Sequence, residues 1–132
     1  MWQPCAPDLV DFNDADNQVQ DDPRRHDYNL DEWLDKFITA AVNLQNNTRT
    51  NHQMWPCGSD FNYQNADHWF HNLDKFIHYV NLNASRGGPV VAMYSTPTKY
   101  TSVKKAMNLT WEVAPPANVF FVLWSLSFAF AP

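Results

Sequence analysis

The fold of this chain is decided by residues 54–63, which read Met-Trp-Pro-Cys-Gly-Ser-Asp-Phe-Asn-Tyr. An apolar run ends at Gly58, Asp60 follows almost at once, and a strongly periodic stretch begins after Tyr63. A strand that delivers a carboxylate to its carboxyl end, just before a helix, is typical of sites in α/β proteins. The aromatic side chains beside the acid suit a sugar or another ring-shaped ligand. A local interpretation stands beside this one, because aspartate is also a common helix N-cap.

Two amphipathic helices flank this stretch. Before it, apolar residues at helical spacing predict a helix from Leu30 to about Leu44, with Asn29 as N-cap and Glu32 completing a capping box. After it, the stripe of a second helix consists of Ala66, Trp69, Phe70, Leu73, Phe76, Ile77 and Val80. Residues 1–28 are acidic, contain prolines and lack any period, so they are predicted to form an extended loop.

Further strands and one more helix follow. Residues 89–94 are predicted to form a strand buried on both faces, as in a parallel sheet. Thr98 is predicted to cap a third helix whose inward side chains are Tyr100, Val103, Ala106 and Met107, and residues 109–113 another short strand. Helices that alternate with strands indicate an α/β protein with parallel strands. Since only about three strands are available, we expect a piece of a larger catalytic domain.

Charge is unevenly distributed along the chain. Residues 1–35 hold ten acidic residues against Arg24 and Arg25, a formal charge of −8, whereas the rest of the 132 residues carry +3. Neither part has the basic stripe that nucleic acid binding requires, so no nucleic acid partner is predicted. The length is enough for one small domain.

The N-terminus lacks the basic and apolar regions of a signal peptide, but three glycosylation acceptors are present at Asn46, Asn83 and Asn108. Together they favour a secretory protein whose leader lies outside this sequence. Cys5 and Cys57 could form one disulfide in such a protein, and the sequence leaves their pairing open.

A metal site is not predicted within the chain. His68 and His71 have a spacing that would let them share an ion on one helix face, but no third ligand accompanies them. Exposed helix faces commonly carry such polar residues, so a solvated surface is the simpler interpretation.

A set of short segments carries a family resemblance: residues 20–23 (Gln-Asp-Asp-Pro), 27–29 (Asp-Tyr-Asn), 48–52 (Thr-Arg-Thr-Asn-His), 58–63 (Gly-Ser-Asp-Phe-Asn-Tyr), 69–70 (Trp-Phe), 72–75 (Asn-Leu-Asp-Lys), 77–81 (Ile-His-Tyr-Val-Asn), 94–97 (Tyr-Ser-Thr-Pro) and 108–111 (Asn-Leu-Thr-Trp). In order and spacing they resemble the catalytic domain of lysosomal or vacuolar α-mannosidases, glycoside hydrolase family 38. The resemblance implies a fragment of a β/α barrel with alternating helices and parallel strands. Residues 1–113 would then be a partial catalytic domain and residues 114–132 a divergent apolar tail.

The resemblance also implies a chemistry. The family is zinc-dependent and removes terminal α-linked mannose from N-glycans by a retaining mechanism. Asp60 matches its general acid/base, which protonates the leaving oxygen and then deprotonates water. Phe61 and Tyr63 would line the substrate site and help raise the pKa of that acid. Asp11 falls near an acid that contacts the sugar. The localisation implied is lysosome, vacuole or secreted.

Several family features are missing. The zinc ligands include a His-x-Asp pair, which occurs nowhere in this chain, and no residue matches the second carboxylate that retention requires. We therefore expect the 132 residues alone to be inactive, with the remainder of the catalytic domain as a necessary partner. The apolar residues 119–130 are too few for a confident membrane span and more suited to promote aggregation. Pro56 is unusual for a central strand.

Two function classes remain open. One is a segment of an α-mannosidase that acts on mannose-containing N-glycans. The other is a non-catalytic fragment or a carbohydrate-binding remnant. The sequence around this segment discriminates them, because a neighbouring His-x-Asp motif and a downstream histidine favour the enzyme.

Overall fold

The computed structural model describes residues 18–57 and 62–110, together with the backbone of 126–129. The helices are α1 (Leu30–Asn46), α2 (Ala66–Ser85) and α3 (Pro97–Ala106), and a short 3-10 helix (Asn62–Asn65) leads into α2. The strands are β1 (Met54–Cys57), β2 (Tyr94–Ser95) and β3 (Leu126–Ala129). Within these ranges, no helix is long and apolar enough to cross a membrane.

Helix α1 forms where the apolar spacing predicts it and buries Leu30, Trp33, Phe37 and Ala41. Asn29 is its N-cap residue, but the predicted capping box is wrong because the Asn29 side chain makes no cap hydrogen bond. The side chain instead accepts from the Gln20 N–H and donates to the Gln18 carbonyl, both at 2.9 Å. Two hydrogen bonds from the Asn29 side chain to the backbone of residues 18 and 20 therefore replace the predicted cap.

Helix α2 supplies the centre of the hydrophobic core. Trp69, Leu73, Phe76 and Val80 are each no more than 2% exposed, which confirms most of the predicted stripe. Phe70 is the exception, with 39% of its surface exposed. Across the core, the rings of Phe37 and Phe76 lie 5.0 Å apart, edge to face, so α1 and α2 pack through aromatic contacts as well as aliphatic ones.

The described strands form a sheet of order β1-β3-β2, in which β3 pairs antiparallel with both neighbours. The predicted parallel pairing is therefore wrong for these residues, and they show a mixed helix and strand fold without a barrel. β1 and β2 nevertheless run in the same direction, because each is antiparallel to β3. The difference arises because β3 lies between β1 and β2 and makes the backbone hydrogen bonds that a direct parallel pair of those strands would have made. Pro56 lies in β1, an edge strand of this sheet, where a missing N–H is tolerated.

The second strand is shorter than predicted. Only Tyr94 and Ser95 are in β2, although Val90 and Ala92 are buried as the apolar run predicts. The Asn81 side chain donates to the Ala92 carbonyl and accepts from its N–H, both at 2.9 Å. One amide thus satisfies the backbone groups that a neighbouring strand would otherwise have paired.

Helix α3 begins two residues earlier than predicted, because Thr96 rather than Thr98 is the cap. The Thr96 hydroxyl oxygen accepts from the Lys99 N–H at 3.2 Å, and Pro97 occupies the first helical position. None of its residues is buried, so the predicted inward face is wrong; Met107, just beyond it, is 39% exposed. Residues 109–110 are not in a strand, and residues 111–113 lie outside the described residues.

Candidate active site

The predicted acid/base and its neighbours fall mostly outside the described residues. Asp60, Phe61 and Asp11 all do so, and their predicted roles stay predictions. The described chain stops at Cys57, the last residue of β1, and resumes at Asn62 in the 3-10 helix. The frame of the candidate site is defined as the described residues on either side of 58–61, namely the end of β1 and the 3-10 helix with the start of α2.

Tyr63 joins the two ends of that frame. Its hydroxyl donates to the Cys57 carbonyl at 2.8 Å. Its ring lies 5.1 Å from the Trp69 ring and 5.9 Å from the Phe70 ring, measured between centroids. Burial raises the pKa of the Tyr63 hydroxyl, so it stays protonated and able to donate at neutral pH. A single side chain thus connects the end of β1 to the start of α2.

A second tyrosine and a carboxylate lie beside this frame. The Tyr94 hydroxyl donates to Asp74 Oδ1 at 2.8 Å, and the Tyr94 ring packs edge to face on Phe70 at 6.4 Å. Burial and, secondarily, the bond to Asp74 raise the pKa of Tyr94 well above its ordinary value. Neither Tyr94 nor Asp74 is among the site residues predicted from the sequence. The signal that could have found them is their presence in two of the segments that carry the family resemblance, 94–97 and 72–75.

The N-terminal strap, defined here as residues 18–21, is fastened along α2. The Val19 N–H donates to Asn72 Oδ1 at 3.1 Å, and Lys75 Nζ donates to the Val19 carbonyl at 3.0 Å. Asp21 accepts from Tyr79 at 2.7 Å and lies 2.7 Å from Lys75 Nζ. These bonds lower the pKa of Asp21, that from Lys75 most of all. The strap, which carries Asp21, is thereby anchored on α2.

Metal ligands are not clustered in the part of the chain that the structure describes, since no group of three or more His, Cys, Asp or Glu side chains there could hold an ion. His68 is half-buried and His71 is exposed on α2. The donor set of the described residues therefore does not fit zinc.

The three glycosylation acceptors differ in setting. Asn46 is the exposed last residue of α1, and Asn108 is exposed just after α3 with a φ of 51°. Asn83 lies in the last turn of α2 and is half-buried. Its carbonyl accepts from the Gly88 N–H at 3.0 Å, and a Cβ at position 88 would lie 1.8 Å from Asn83 Oδ1. The Asn83 side chain is therefore packed over the chain that follows α2.

Cys57, at the end of β1, is buried and disulfide-bonded. Cys5, the only other cysteine of the sequence, lies outside the described residues.

The family model described as the glycosyl hydrolases family 38 N-terminal domain matches residues 9–124. The chain therefore belongs to glycosyl hydrolase family 38, which confirms the resemblance drawn from the sequence.

Three curated relatives illustrate the match. The chain is 48% identical to an alpha-mannosidase of Arabidopsis thaliana over 103 residues, which cover 78% of this chain and 10% of the relative. It is 47% identical to an alpha-mannosidase of Canavalia ensiformis over 95 residues, 72% of this chain and 9% of the relative. It is 43% identical to the lysosomal alpha-mannosidase of Homo sapiens over 99 residues, 75% of this chain and 10% of the relative. The chain thus spans about a tenth of the length of these relatives.

Proposed function

We propose that this chain is a segment of an α-mannosidase catalytic domain, one that hydrolyses terminal non-reducing α-D-mannose from N-glycans by a retaining mechanism. The observation that carries the proposal is the family match over residues 9–124, which includes segment 58–63. The proposed location is the lysosome, as the human relative's name suggests, or the vacuole or the outside of the cell, as the family resemblance implies.

Within this proposal, Asp60 is the general acid/base. A protonated carboxyl group donates to the glycosidic oxygen as the bond to the sugar breaks, and the carboxylate then takes a proton from the water that releases the sugar. Such a group needs a pKa above that of a solvated aspartate, and apolar neighbours raise it by disfavouring the charged form. Phe61 and Tyr63 are proposed to supply those neighbours and to contact the substrate, and Asp11 to bind a sugar hydroxyl.

The remaining groups are proposed to come from other parts of a longer enzyme. Retention requires a second carboxylate about 5 Å from the acid/base, and no residue of this chain matches the family's nucleophile. Zinc is likewise proposed to be held by residues outside this chain, since the described residues do not fit it. The 132 residues alone are therefore proposed to be inactive, with the remainder of the catalytic domain as their partner.

The test is Asp60→Asn in a full-length α-mannosidase that contains this segment. General acid/base catalysis contributes about 10² to 10⁴ in rate. Turnover of a mannoside with a poor leaving group should fall by that factor. The first step on an activated aryl mannoside should be spared, because its leaving group needs no proton. Zinc content should not change.

The matched control is Asp67→Asn, which removes an exposed carboxylate from the first turn of α2. It should leave both substrates nearly unaffected. If Asp60→Asn kept near-normal turnover on the poor leaving group, a helix-capping role would explain the residue, since asparagine caps as well as aspartate.

A further inference from the structure

Helix α2 and strand β2 present two aromatic rings on one exposed face. Phe70 is 39% exposed and Tyr94 is 36% exposed. The centroids of the two rings lie 6.4 Å apart and their planes meet at 66°, so the rings form a corner. On the other side of Phe70, the ring of the half-buried Tyr63 packs at 5.9 Å. The corner is therefore held by ring contacts and open to solvent.

A carboxylate borders this corner. Asp74 lies four residues after Phe70, and residues at that spacing share one face of a helix. Asp74 is exposed, and its Oδ1 accepts from the Tyr94 hydroxyl at 2.8 Å. Among the residues that the structure describes, no hydrogen bond or ion pair engages the other oxygen, and the neighbouring Lys75 pairs with Asp21 instead. One oxygen of Asp74 is thus fixed while the other can accept from a ligand.

The backbone explains why these side chains face outward. In β2 the exposed Tyr94 precedes the buried Ser95, because successive residues of a strand point to opposite faces. On α2 the buried Trp69 and Leu73 fill the core, and Phe70, next to Trp69, lies outside the buried stripe. Helix and strand therefore each contribute an outward side chain to the same corner.

We propose that Phe70, Tyr94 and Asp74, the aromatic platform, bind a pyranose ring of a mannose-containing glycan. A pyranose has a face of C–H groups, which packs on aromatic rings, and a rim of hydroxyls, which donate to a carboxylate. Apolar walls with a few fixed polar groups are the usual composition of a small-ligand site. The inference rests on the proposed function for the identity of the sugar, and the platform consists of described residues alone.

The carboxylate favours a sugar over an apolar protein surface as the occupant. A protein segment packed over both rings would bury Asp74 with them, and burying a carboxylate without donors or a cation is costly. A sugar hydroxyl supplies a donor and leaves the far side of the ligand in water. An organic cation such as choline also suits aromatic rings beside a carboxylate, so choline is the competing ligand in the test.

The first measurement is a titration of the 132-residue chain with α-linked mannotriose, followed by isothermal titration calorimetry. The wild type should bind with a Kd of about 1 mM, as expected for a small open site. Phe70→Ala and Asp74→Asn should each weaken binding by about 10-fold, through the loss of a ring contact or of a charged hydrogen bond. Tyr94→Phe keeps the ring and removes only the hydroxyl that holds Asp74, so it should weaken binding by about 3-fold even if another variant fails to fold.

The matched controls lie on α1. Leu44→Ala truncates an apolar side chain that is 37% exposed, and Asp35→Asn neutralises an exposed carboxylate. Both should bind mannotriose like the wild type. Absence of saturable binding by the wild type, or equal affinities in the wild type and all three platform variants, would overturn the inference. Tighter binding of choline than of mannotriose, with the same dependence on Phe70 and Asp74, would overturn the assignment to a sugar.

The second measurement asks whether another part of a full-length α-mannosidase that contains this segment covers the platform. Phe70→Ala should raise KM for an oligomannoside by about 10-fold and leave the melting temperature unchanged, because the ring contacts the ligand. A lower melting temperature with an unchanged KM would overturn the inference and identify the platform as a contact within the enzyme.

Asp60→Asn in the same full-length enzyme separates this inference from the proposed function, because mannotriose binding by the 132-residue chain requires no catalysis. If mannotriose does not bind and Asp60→Asn shows the expected leaving-group dependence, the platform fails while the proposed function stands. If the platform variants weaken mannotriose binding and Asp60→Asn has no effect, the assignment of the acid fails while the platform stands.

Discussion

Removing the Asp21 carboxylate should loosen the N-terminal strap from α2. In Asp21→Asn the chain loses an ion pair of 2.7 Å with Lys75 and a charge-assisted bond of 2.7 Å from Tyr79. The side chains of Lys75 and Asp21 are 27% and 31% exposed, so solvent screens part of the attraction. Buried charge-assisted bonds contribute about 1.5–3 kcal/mol and exposed ion pairs below about 1 kcal/mol. We expect the free energy of unfolding to fall by about 1–2 kcal/mol at pH 7.

The fall in the free energy of unfolding caused by Asp21→Asn should depend on pH, in a direction set by the pKa of Asp21. Its hydrogen bonds, from Lys75 above all, hold that pKa below the ordinary value of 3.8. A carboxylate whose folded pKa is depressed stabilises the fold above the unfolded pKa, and this contribution disappears as pH falls through the folded pKa. The difference between wild type and Asp21→Asn should therefore be full above about pH 5 and shrink steadily below pH 4.

Urea unfolding followed by tryptophan fluorescence at pH 7 and pH 3 measures this difference. Asp22→Asn serves as the control, because Asp22 pairs with Arg24, whose side chain is 88% exposed. The control should show little change at either pH. A loss in Asp21→Asn that is as large at pH 3 as at pH 7, or no loss at pH 7, would refute the argument from the carboxylate.

Two further predictions concern packing and modification. Leu73→Ala should lower the free energy of unfolding by about 2–5 kcal/mol, because Leu73 is 0% exposed and its truncation leaves a cavity. Urea unfolding measures this change, with the surface variant Leu44→Ala as the control. On secretory expression, Asn108 should be the most fully glycosylated acceptor because it is exposed beyond the end of α3, whereas the packed Asn83 should be the least. Mass spectrometry that finds Asn83 occupied and Asn108 bare would contradict this order.

Local pattern was enough to predict α1 and α2 but not how the strands pair. The stripe through Trp69, Leu73 and Phe76 depends only on helical spacing, and the structure buries it. Strand pairing depends on partners far along the chain, and nothing local to β1 or β2 indicates that β3 would lie between them. Asn29 illustrates the same limit on a small scale: its position as N-cap follows from the sequence, while its bonds to residues 18 and 20 do not.

In the candidate site, too, the sequence indicates residue types but not the tertiary contacts that those residues make. The sequence marks Tyr63 as an aromatic residue beside a predicted acid, but only the structure shows that its hydroxyl is bonded to Cys57. The pairing of Tyr94 with Asp74 joins residues 20 apart in sequence, through the packing of β2 on α2. Side chains that act through tertiary contacts cannot be assigned from residue type and spacing alone.

The direction of the strands keeps the proposed site consistent with an antiparallel sheet. Because β1 and β2 are both antiparallel to β3, their carboxyl ends, at Cys57 and Ser95, lie at the same edge of the sheet. Cys57 pairs in register with Leu126 and Ser95 with Ser127, so the two ends are offset by a single residue along β3. The N-cap of α3, at Thr96, therefore leaves from this edge, beside the end of β1. In β/α barrels the catalytic groups lie at the carboxyl ends of parallel strands, and the antiparallel β3 between β1 and β2 distinguishes the described sheet from that arrangement.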